Sequence, residues 1–154
     1  MNEQIVRKEN EAFKDLVNII SELCPKCKVE PTEYGTHYDA VVSTRTGEKE
    51  YVELKRRTCT IDQYKDATAL NVYKANYLKK IQDEEGVKVV WMQLYPKSGK
   101  YIVMSLDDIF RDGWVTTSTK KKVEMEEDSP MIEVQEWHVN LNPDYIYSYT
   151  STIS

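Results

Sequence analysis

Hydrophobic residues recur every three or four positions between about residues 3 and 23. This spacing places them on one face of an α-helix, which Pro25 then ends. The predicted inner face contains Ile5, Ala12, Phe13, Leu16, Val17, Ile20 and Leu23. The predicted solvent face contains Glu11, Asp15 and Glu22. Glu9 falls on the inner face by its spacing, where a carboxylate is costly unless it is paired or binds a metal. Glu9 therefore either lies at the edge of that face, with its carboxylate in water, or has a functional role.

A second pattern, with a period of two, covers two short segments joined by a turn that contains a glycine. Residues 38–42 (Tyr-Asp-Ala-Val-Val) and 51–55 (Tyr-Val-Glu-Leu-Lys) are rich in β-branched and aromatic residues, which predicts a β-hairpin. If Gly47 takes the left-handed position of a three-residue loop, residue 41 faces residue 51. Asp39 and Glu53 then lie opposite each other with Cβ atoms about 4.5–5.5 Å apart. Lys55 shares their face, because strand side chains alternate.

Two carboxylates this close repel each other and destabilise a hairpin unless a cation lies between them. A hard divalent cation such as Mg²⁺ binds one or two carboxylates together with waters and a substrate phosphate. Asp39 and Glu53 therefore predict a site for such a cation. The neighbouring Lys55 could orient a bound water or help to deprotonate it.

The rest of the chain predicts further strands and helices. A helix is expected from Thr60 or Asp62 to about Glu85, ended by Gly86. The lysines around this helix, most of which we expect on a solvated face, are Lys65, Lys74, Lys79 and Lys80. Residues 87–95 are nearly continuously apolar, which is typical of a central strand. The remaining elements are strands over residues 28–34, 101–104, 114–119 and 131–139, and a short helix over 105–110. Residues 145–149 alternate as a strand does, and the alternative is a loose tail.

The composition is that of a globular domain. The chain has 154 residues, of which 40% are apolar and 31% charged, enough to bury one core. No run is as long as a membrane span, and the first residues do not form a signal peptide. We therefore expect a cytoplasmic protein without a membrane partner, and the compact size suggests a viral protein acting in the host cytoplasm. The net charge of −5 does not favour nucleic-acid binding, although a local surface can differ from the total.

The three cysteines, an odd number, indicate a reducing compartment and argue against a disulfide framework. Cys24 and Cys27 form a Cys-x-x-Cys pair, but no second pair completes a zinc site. Cys59, His37 and His138 do not form a suitably spaced partner set. The pair ends a helix rather than opening one, which does not favour a redox role. We interpret both as structural cysteines.

The predicted order is helix, strand, two-stranded hairpin, helix, strand, strand. With Asp39 on the second strand and Glu-Leu-Lys at 53–55 on the third, the chain resembles the PD-(D/E)XK nuclease superfamily, and within it the Holliday-junction-resolvase-like and phage-type nucleases. The resemblance covers roughly residues 5–110. It implies an α/β, restriction-endonuclease-like core of αβββαβ order, with a central mixed sheet flanked by helices. A C-terminal extension with extra strands over residues 111–154 would complete a single domain, residues 1–154.

The resemblance also implies a function. It predicts a Mg²⁺-dependent deoxyribonuclease, with Mn²⁺ able to substitute, that hydrolyses DNA phosphodiester bonds as a structure-selective endonuclease or resolvase. Asp39 and Glu53 would be metal ligands, with the backbone carbonyl of Leu54 as a third. Lys55 would position the attacking water or stabilise the charge of the transition state. Glu9 would correspond to the first-helix glutamate that many members use near a second metal or its waters. DNA is the implied partner, and a homodimer is expected because junction cutters generally need two active sites.

Two positions depart from the family pattern. Tyr38, rather than proline, precedes Asp39. Gln63 is followed four positions later by Ala67 rather than tyrosine, which argues against the exonuclease branch that carries a Gln-x-x-x-Tyr pattern.

Arg56, Arg57 and Gln63 follow the Glu-Leu-Lys segment, and each has a polar side chain that could contact substrate. Arg56 points to the opposite face of its strand, so we expect a structural or distal role. Arg57 returns to the face of Lys55 and is a candidate phosphate contact. Gln63 is a weaker candidate for contact with substrate or water.

Two other interpretations remain open. The chain could be a catalytically inactive member that acts as a nucleic-acid-binding or assembly subunit. The acidic charge balance favours this interpretation, and the intact set of Asp39, Glu53 and Lys55 argues against it. The chain could instead be an unrelated α+β domain in which Glu53 and Lys55 pair with neighbours as exposed charges usually do.

Overall fold

The computed structural model describes residues 3–33, 38–64, 67–121, 131–140 and 143–151. The helices in this part of the chain are α1 (Glu3–Leu23), α2 (Val72–Glu85) and α3 (Leu106–Asp112). The strands are β1 (Lys28–Pro31), β2 (Ala40–Ser43), β3 (Lys49–Arg56), β4 (Ala67–Asn71), β5 (Lys88–Tyr95), β6 (Lys100–Ser105), β7 (Trp114–Lys121), β8 (Met131–Asn140) and β9 (Ile146–Ser148). Among the described residues, no helix has both the length and the apolarity that crossing a membrane requires.

The described strands form two sheets. The larger has the order β1-β2-β3-β5-β6-β9, in which β3 and β5 are parallel and the other neighbours are antiparallel. A parallel pair needs a crossover connection, and α2 is the helix of that connection. The smaller sheet, β4-β8-β7, is antiparallel. The predicted mixed sheet flanked by helices, with extra C-terminal strands, is confirmed.

Helices cover both faces of the larger sheet. On one face, α2 and α3 pack through Ala75, Leu78, Leu106 and Ile109 against a cluster that includes Tyr51, Trp91 and Met104. On the other face, α1 packs through Ala12, Leu16 and Ile19 against Val52, Leu54 and Met92. Because side chains alternate along a strand, Glu53 and Lys55 lie on the α2 face of β3, and Arg56 lies on the α1 face.

The hairpin of β2 and β3 has the predicted register. Val41 faces Tyr51, and the Thr44 N–H donates to the Glu48 carbonyl at 2.8 Å. Gly47 has φ +87°, the left-handed conformation that closes a three-residue loop. At the other end, β2 begins at Ala40, so Asp39 lies in a bend just outside the ladder. The Asp39 N–H donates at 2.8 Å to the carbonyl of Val52, the residue that faces Ala40. Asp39 and Glu53 are therefore not a regular cross-strand pair.

The second long helix is shorter than predicted. Residues 61–64 form a single 3-10 turn, and residues 67–71 form β4, which pairs with β8. Pairing with a distant strand therefore overrides the helical spacing of this segment. The helix begins at Val72, where the Asn71 side chain caps it by accepting from the Lys74 N–H at 3.2 Å. The predicted end at Gly86 is confirmed, with Gly86 at φ +66°.

The inner face of α1 is rotated relative to the prediction. Ala12, Asp15, Leu16 and Ile19 are buried, and their spacing of three and four residues defines one face of the helix. Asp15, predicted on the solvent face, is 0% exposed, whereas Leu23 is 67% exposed. The prediction was wrong for both residues because it assigned the polar Asp15 to the solvent face and extended the inner face to Leu23, the last residue of the helix. Asp15 accepts a hydrogen bond from Arg56 Nε at 3.2 Å and another from Ser151 Oγ at 2.7 Å.

The cysteines after α1 also differ from the expectation. Cys24 and Cys27 are joined by a disulfide, with Cα atoms 5.4 Å apart. The argument against disulfides from an odd number of cysteines was wrong for this pair, because a pair three residues apart at a helix end can close without any framework. Cys59 is a free thiol.

Replacing Arg56 with methionine should lower the free energy of unfolding by about 3 kcal/mol, because it leaves the buried Asp15 carboxylate without its cation. Urea denaturation measures this difference. The matched control is Lys88→Met, since Lys88 pairs with Glu50 at 4.0 Å on an exposed surface and should change stability by less than about 1 kcal/mol. Equal effects of the two substitutions would contradict a stabilising role for the Arg56–Asp15 pair.

Candidate metal and phosphate site

A single buried carboxylate defines the site on the α2 face of β3. Glu53 is 2% exposed, and its neighbours Tyr51, Val52 and Leu54 belong to the hydrophobic core. The carboxylate is therefore buried beside apolar side chains. Two ammonium groups approach it from different elements. Lys55 Nζ on β3 lies 3.4 Å from Glu53 Oε1, and Lys74 Nζ on α2 lies 3.5 Å from Glu53 Oε2. The structure therefore brings Glu53 and Lys55 together as the sequence suggested, and adds Lys74.

Asp39 joins this site from the end of β2. Its Oδ2 accepts a hydrogen bond of 2.7 Å from the Leu54 N–H. Thr32, just after β1, holds the bend in place, because its N–H donates to the Asp39 carbonyl at 3.1 Å and its hydroxyl donates to the Tyr38 carbonyl. The bend thus turns the Asp39 carboxylate towards β3, on the side where Glu53 lies.

The electrostatics of Glu53 are unfavourable as they stand. Burial, and then the charge of Asp39, raise the pKa of Glu53 to about 7, while Lys55 and Lys74 oppose the rise. Glu53 Oε2 has no hydrogen-bond partner in the described structure. A buried charge with an unsatisfied oxygen costs free energy. Such perturbed groups are frequent at functional sites.

These features decide whether a divalent cation fits. Among the described side chains, no group of three or more His, Cys, Asp or Glu residues is arranged to hold a metal ion. Mg²⁺ requires only one or two carboxylates, since waters and substrate complete its shell. Asp39 and Glu53 supply two, and Glu53 Oε2 is free of hydrogen bonds. The Leu54 carbonyl points to the same side as its N–H, towards Asp39. The residues present fit a weakly held, hard divalent cation.

Three predicted site residues, Glu9, Gln63 and Arg57, keep roles that rest on the sequence alone. Glu9 belongs to α1, whose described inner residues pack on the opposite face of the sheet, and its side chain lies outside the part described. The Gln63 side chain is likewise not described. Arg57 follows β3, and its N–H donates to the Leu94 carbonyl at 2.8 Å, which keeps it beside β5. The roles of Glu9, Gln63 and Arg57 stay predictions.

Comparison with known proteins adds one finding. No protein-family model and no curated protein matches the sequence. Among solved structures, the fold is similar to that of Hjc, described as a Holliday junction resolvase from the archaeal hyperthermophile Archaeoglobus fulgidus. The similarity covers 85% of this chain and 84% of that chain, with a TM-score of 0.51 and 8% sequence identity. The two chains share a fold. The α/β fold expected from the sequence, a mixed sheet flanked by helices, is thereby confirmed.

Lys74 is a residue of this site that the sequence did not predict. Predicting the helix from Thr60 or Asp62 made Lys74 one of several lysines on a solvated face. The usable signal was Asn71, because an N-cap there places Lys74 in the first helical turn. A lysine in the first turn is unfavourable for the helix dipole, which calls for a separate explanation of its position.

The raised pKa of Glu53 makes the stability of the metal-free protein depend on pH. The unfolded state ionises Glu53 near pH 4.3, and the folded state does so near pH 7. Between these values the folded state binds more protons, so stability falls as pH rises through this window and the full cost persists above it. Glu53→Gln should therefore stabilise the metal-free protein by up to about 3 kcal/mol at about pH 8, and much less at about pH 5.

Urea denaturation in EDTA at both pH values tests this expectation. Glu50→Gln is the control, because Glu50 lies on the same strand with an exposed side chain. If both variants show the same pH dependence as the parent, Glu53 does not carry the predicted electrostatic cost.

Proposed function

We propose that the chain is a metal-dependent deoxyribonuclease that hydrolyses phosphodiester bonds at Asp39, Glu53 and Lys55. The observation that carries the proposal is the Glu53 carboxylate, which is buried, has one oxygen without a hydrogen bond, and lies beside Asp39 and two lysines. Lys74 Nζ lies 3.5 Å from this oxygen without donating a hydrogen bond to it, so the oxygen can still accept a ligand. The resolvase fold supports the same proposal.

In this proposal, Asp39 and Glu53 hold Mg²⁺, with the Leu54 carbonyl as a further ligand, and Mn²⁺ can substitute. Bound there, the ion would polarise a phosphoryl oxygen and lower the pKa of its water. The hydrogen bond from the Leu54 N–H fixes one Asp39 oxygen and leaves the other for the ion. The first-helix Glu9 is proposed to act near a second ion or its waters.

Lys55 has the position needed to orient the reacting groups. Its ammonium lies 3.4 Å from Glu53 Oε1, yet the side chain remains 42% exposed, so it can contact both the carboxylate and an incoming substrate. We assign it the positioning of the attacking water and the stabilisation of charge on the phosphate. Arg57 and Gln63 are proposed as substrate contacts.

The proposed substrate is DNA, and branched DNA is the first form to test because the structural neighbour is described as a Holliday junction resolvase. A homodimer would place two such sites on one junction. We propose a single nuclease-like domain over residues 1–154, with residues 5–110 as its core and 111–154 as an extension. Its site of action would be the cytoplasm, which for a viral protein is that of the host.

Purified protein should nick supercoiled plasmid in Mg²⁺ or Mn²⁺ and should be inactive in EDTA. A panel of supercoiled, linear, single-stranded and branched DNA then identifies the preferred form. If the protein binds DNA in all these conditions but cuts none of the substrates, it is a nucleic-acid-binding protein with the same fold, and the nuclease proposal is wrong.

Two substitutions separate the roles of the site residues. Lys55→Ala should keep or slightly strengthen Mn²⁺ binding, because a repelling cation is removed, while cleavage falls by about two to three orders of magnitude. Asp39→Ala should abolish both metal binding and cleavage. Calorimetry with Mn²⁺ and nicking rates on the same preparations measure the two effects. Lys49→Ala, at the start of the same strand, is the control. A Lys55→Ala variant that cuts as fast as the parent would remove Lys55 from the mechanism.

A further inference from the structure

We propose that Lys74 is a second lysine of the site and that its ammonium contacts a non-bridging oxygen of the DNA phosphodiester that is cut. The assignment rests on the proposed nuclease function. It concerns a residue on α2, a different element from the strands that carry Asp39, Glu53 and Lys55. It names the chemical group that Lys74 recognises, a phosphodiester monoanion, beyond its contact with Glu53.

The positions of the two lysines around Glu53 support this assignment. Lys55 and Lys74 approach the two oxygens of one carboxylate at nearly equal distances, 3.4 Å to Oε1 and 3.5 Å to Oε2. The two lysines belong to different elements, Lys55 to β3 and Lys74 to the first turn of α2. The Lys74 side chain is 29% exposed, so part of it is accessible from solvent. A phosphate that reaches Lys55 therefore comes close to a second ammonium group.

The stability of the helix does not account for a lysine at position 74. Lys79 and Lys80 pair with Asp83 and Glu84 four residues later, at 2.7 and 3.9 Å, which is ordinary for a solvated helix face. The residues three and four positions after Lys74 are Tyr77 and Leu78, so it has no acidic partner in the next turn of the helix. Its first-turn position is also the wrong end of the dipole for a cation.

The net charge of the site also favours a phosphate contact for Lys74. Asp39 and Glu53 contribute −2 when ionised, and Lys55 and Lys74 contribute +2, so the four side chains are neutral together. With a divalent cation between the carboxylates, the total becomes +2. A phosphodiester brings one negative charge, and attack by hydroxide adds a second in the transition state. Lys74 supplies the positive charge that makes the site match this dianion.

The experiment compares Lys74→Met, Lys74→Arg and Lys80→Met with the parent. Methionine removes the charge at similar length, arginine restores it, and Lys80 is an exposed lysine of the same helix. Each protein is assayed for cleavage in Mg²⁺ and for binding of labelled DNA in Ca²⁺ over a range of salt concentrations. Losing one phosphate contact should reduce the slope of log K against log salt by about 0.9 for duplex DNA. A lysine that served only as a counterion of Glu53 would leave this slope unchanged.

For Lys74→Met we expect the reduced slope together with a fall in cleavage of about 100-fold. Lys74→Arg should recover the parent's slope, and Lys80→Met should behave as the parent in both assays. If Lys74→Met keeps the slope of a parent that cleaves DNA, Lys74 is a structural counterion and this inference is wrong, while the proposed function stands. If the parent binds DNA without cleaving it, the nuclease proposal is wrong and the assignment of Lys74 to a cleaved phosphodiester fails with it. If the parent neither binds nor cleaves DNA, the proposed function fails and the assignment of Lys74 fails with it.

Discussion

The burial of the Glu53 carboxylate is the constraint on which the arrangement around β3 depends. An ionised carboxylate in a hydrophobic core is expensive, and a leucine at this position would pack without that cost. The fold offsets the cost only in part. Two lysines approach the carboxylate, yet burial and Asp39 still raise the pKa of Glu53 to about 7. Stability given up at one position is common where a protein keeps a group for chemistry, and Glu53 matches that description.

The opposite face of the same strand shows what a structural charge looks like in this protein. Asp15 is as buried as Glu53, but it accepts hydrogen bonds from Arg56 Nε, Tyr149 OH and Ser151 Oγ. These donors come from β3 and from the C-terminal segment, so they tie α1 to both. Both oxygens of Asp15 therefore accept hydrogen bonds from within the fold. The contrast with the unsatisfied Glu53 Oε2 separates a stabilising cluster from a candidate site on one strand.

The sequence predicted what depends on local chemistry. Gly47 determined the loop conformation and hence the pairing of Val41 with Tyr51, and Gly86 marked the end of α2. Features that depend on distant partners were predicted poorly. Residues 67–71 look helical until β8 is present to pair with them, and Asp15 looks exposed until Arg56 and Ser151 are brought to it. Lys74 was missed for the same reason, since its approach to Glu53 follows from where α2 begins and how it crosses the sheet.

The bend at Asp39 is held by tertiary contacts, with no proline before the aspartate. The regular pairing would have fixed two like charges directly across the hairpin, which is unfavourable. Leaving the ladder one residue early lets Asp39 turn its carboxylate to the Leu54 N–H instead. In the pattern that this chain resembles, a proline before the aspartate would restrict the backbone here. Tyr38 has no such ring, but other contacts restrain it. Thr32 bonds the carbonyls of both Tyr38 and Asp39, and the Tyr38 ring stacks on Tyr51 with centroids 4.0 Å apart. The restraint that proline would give through its covalent ring is thus supplied by tertiary contacts, and the position of the Asp39 carboxylate depends on β1 and β3 together.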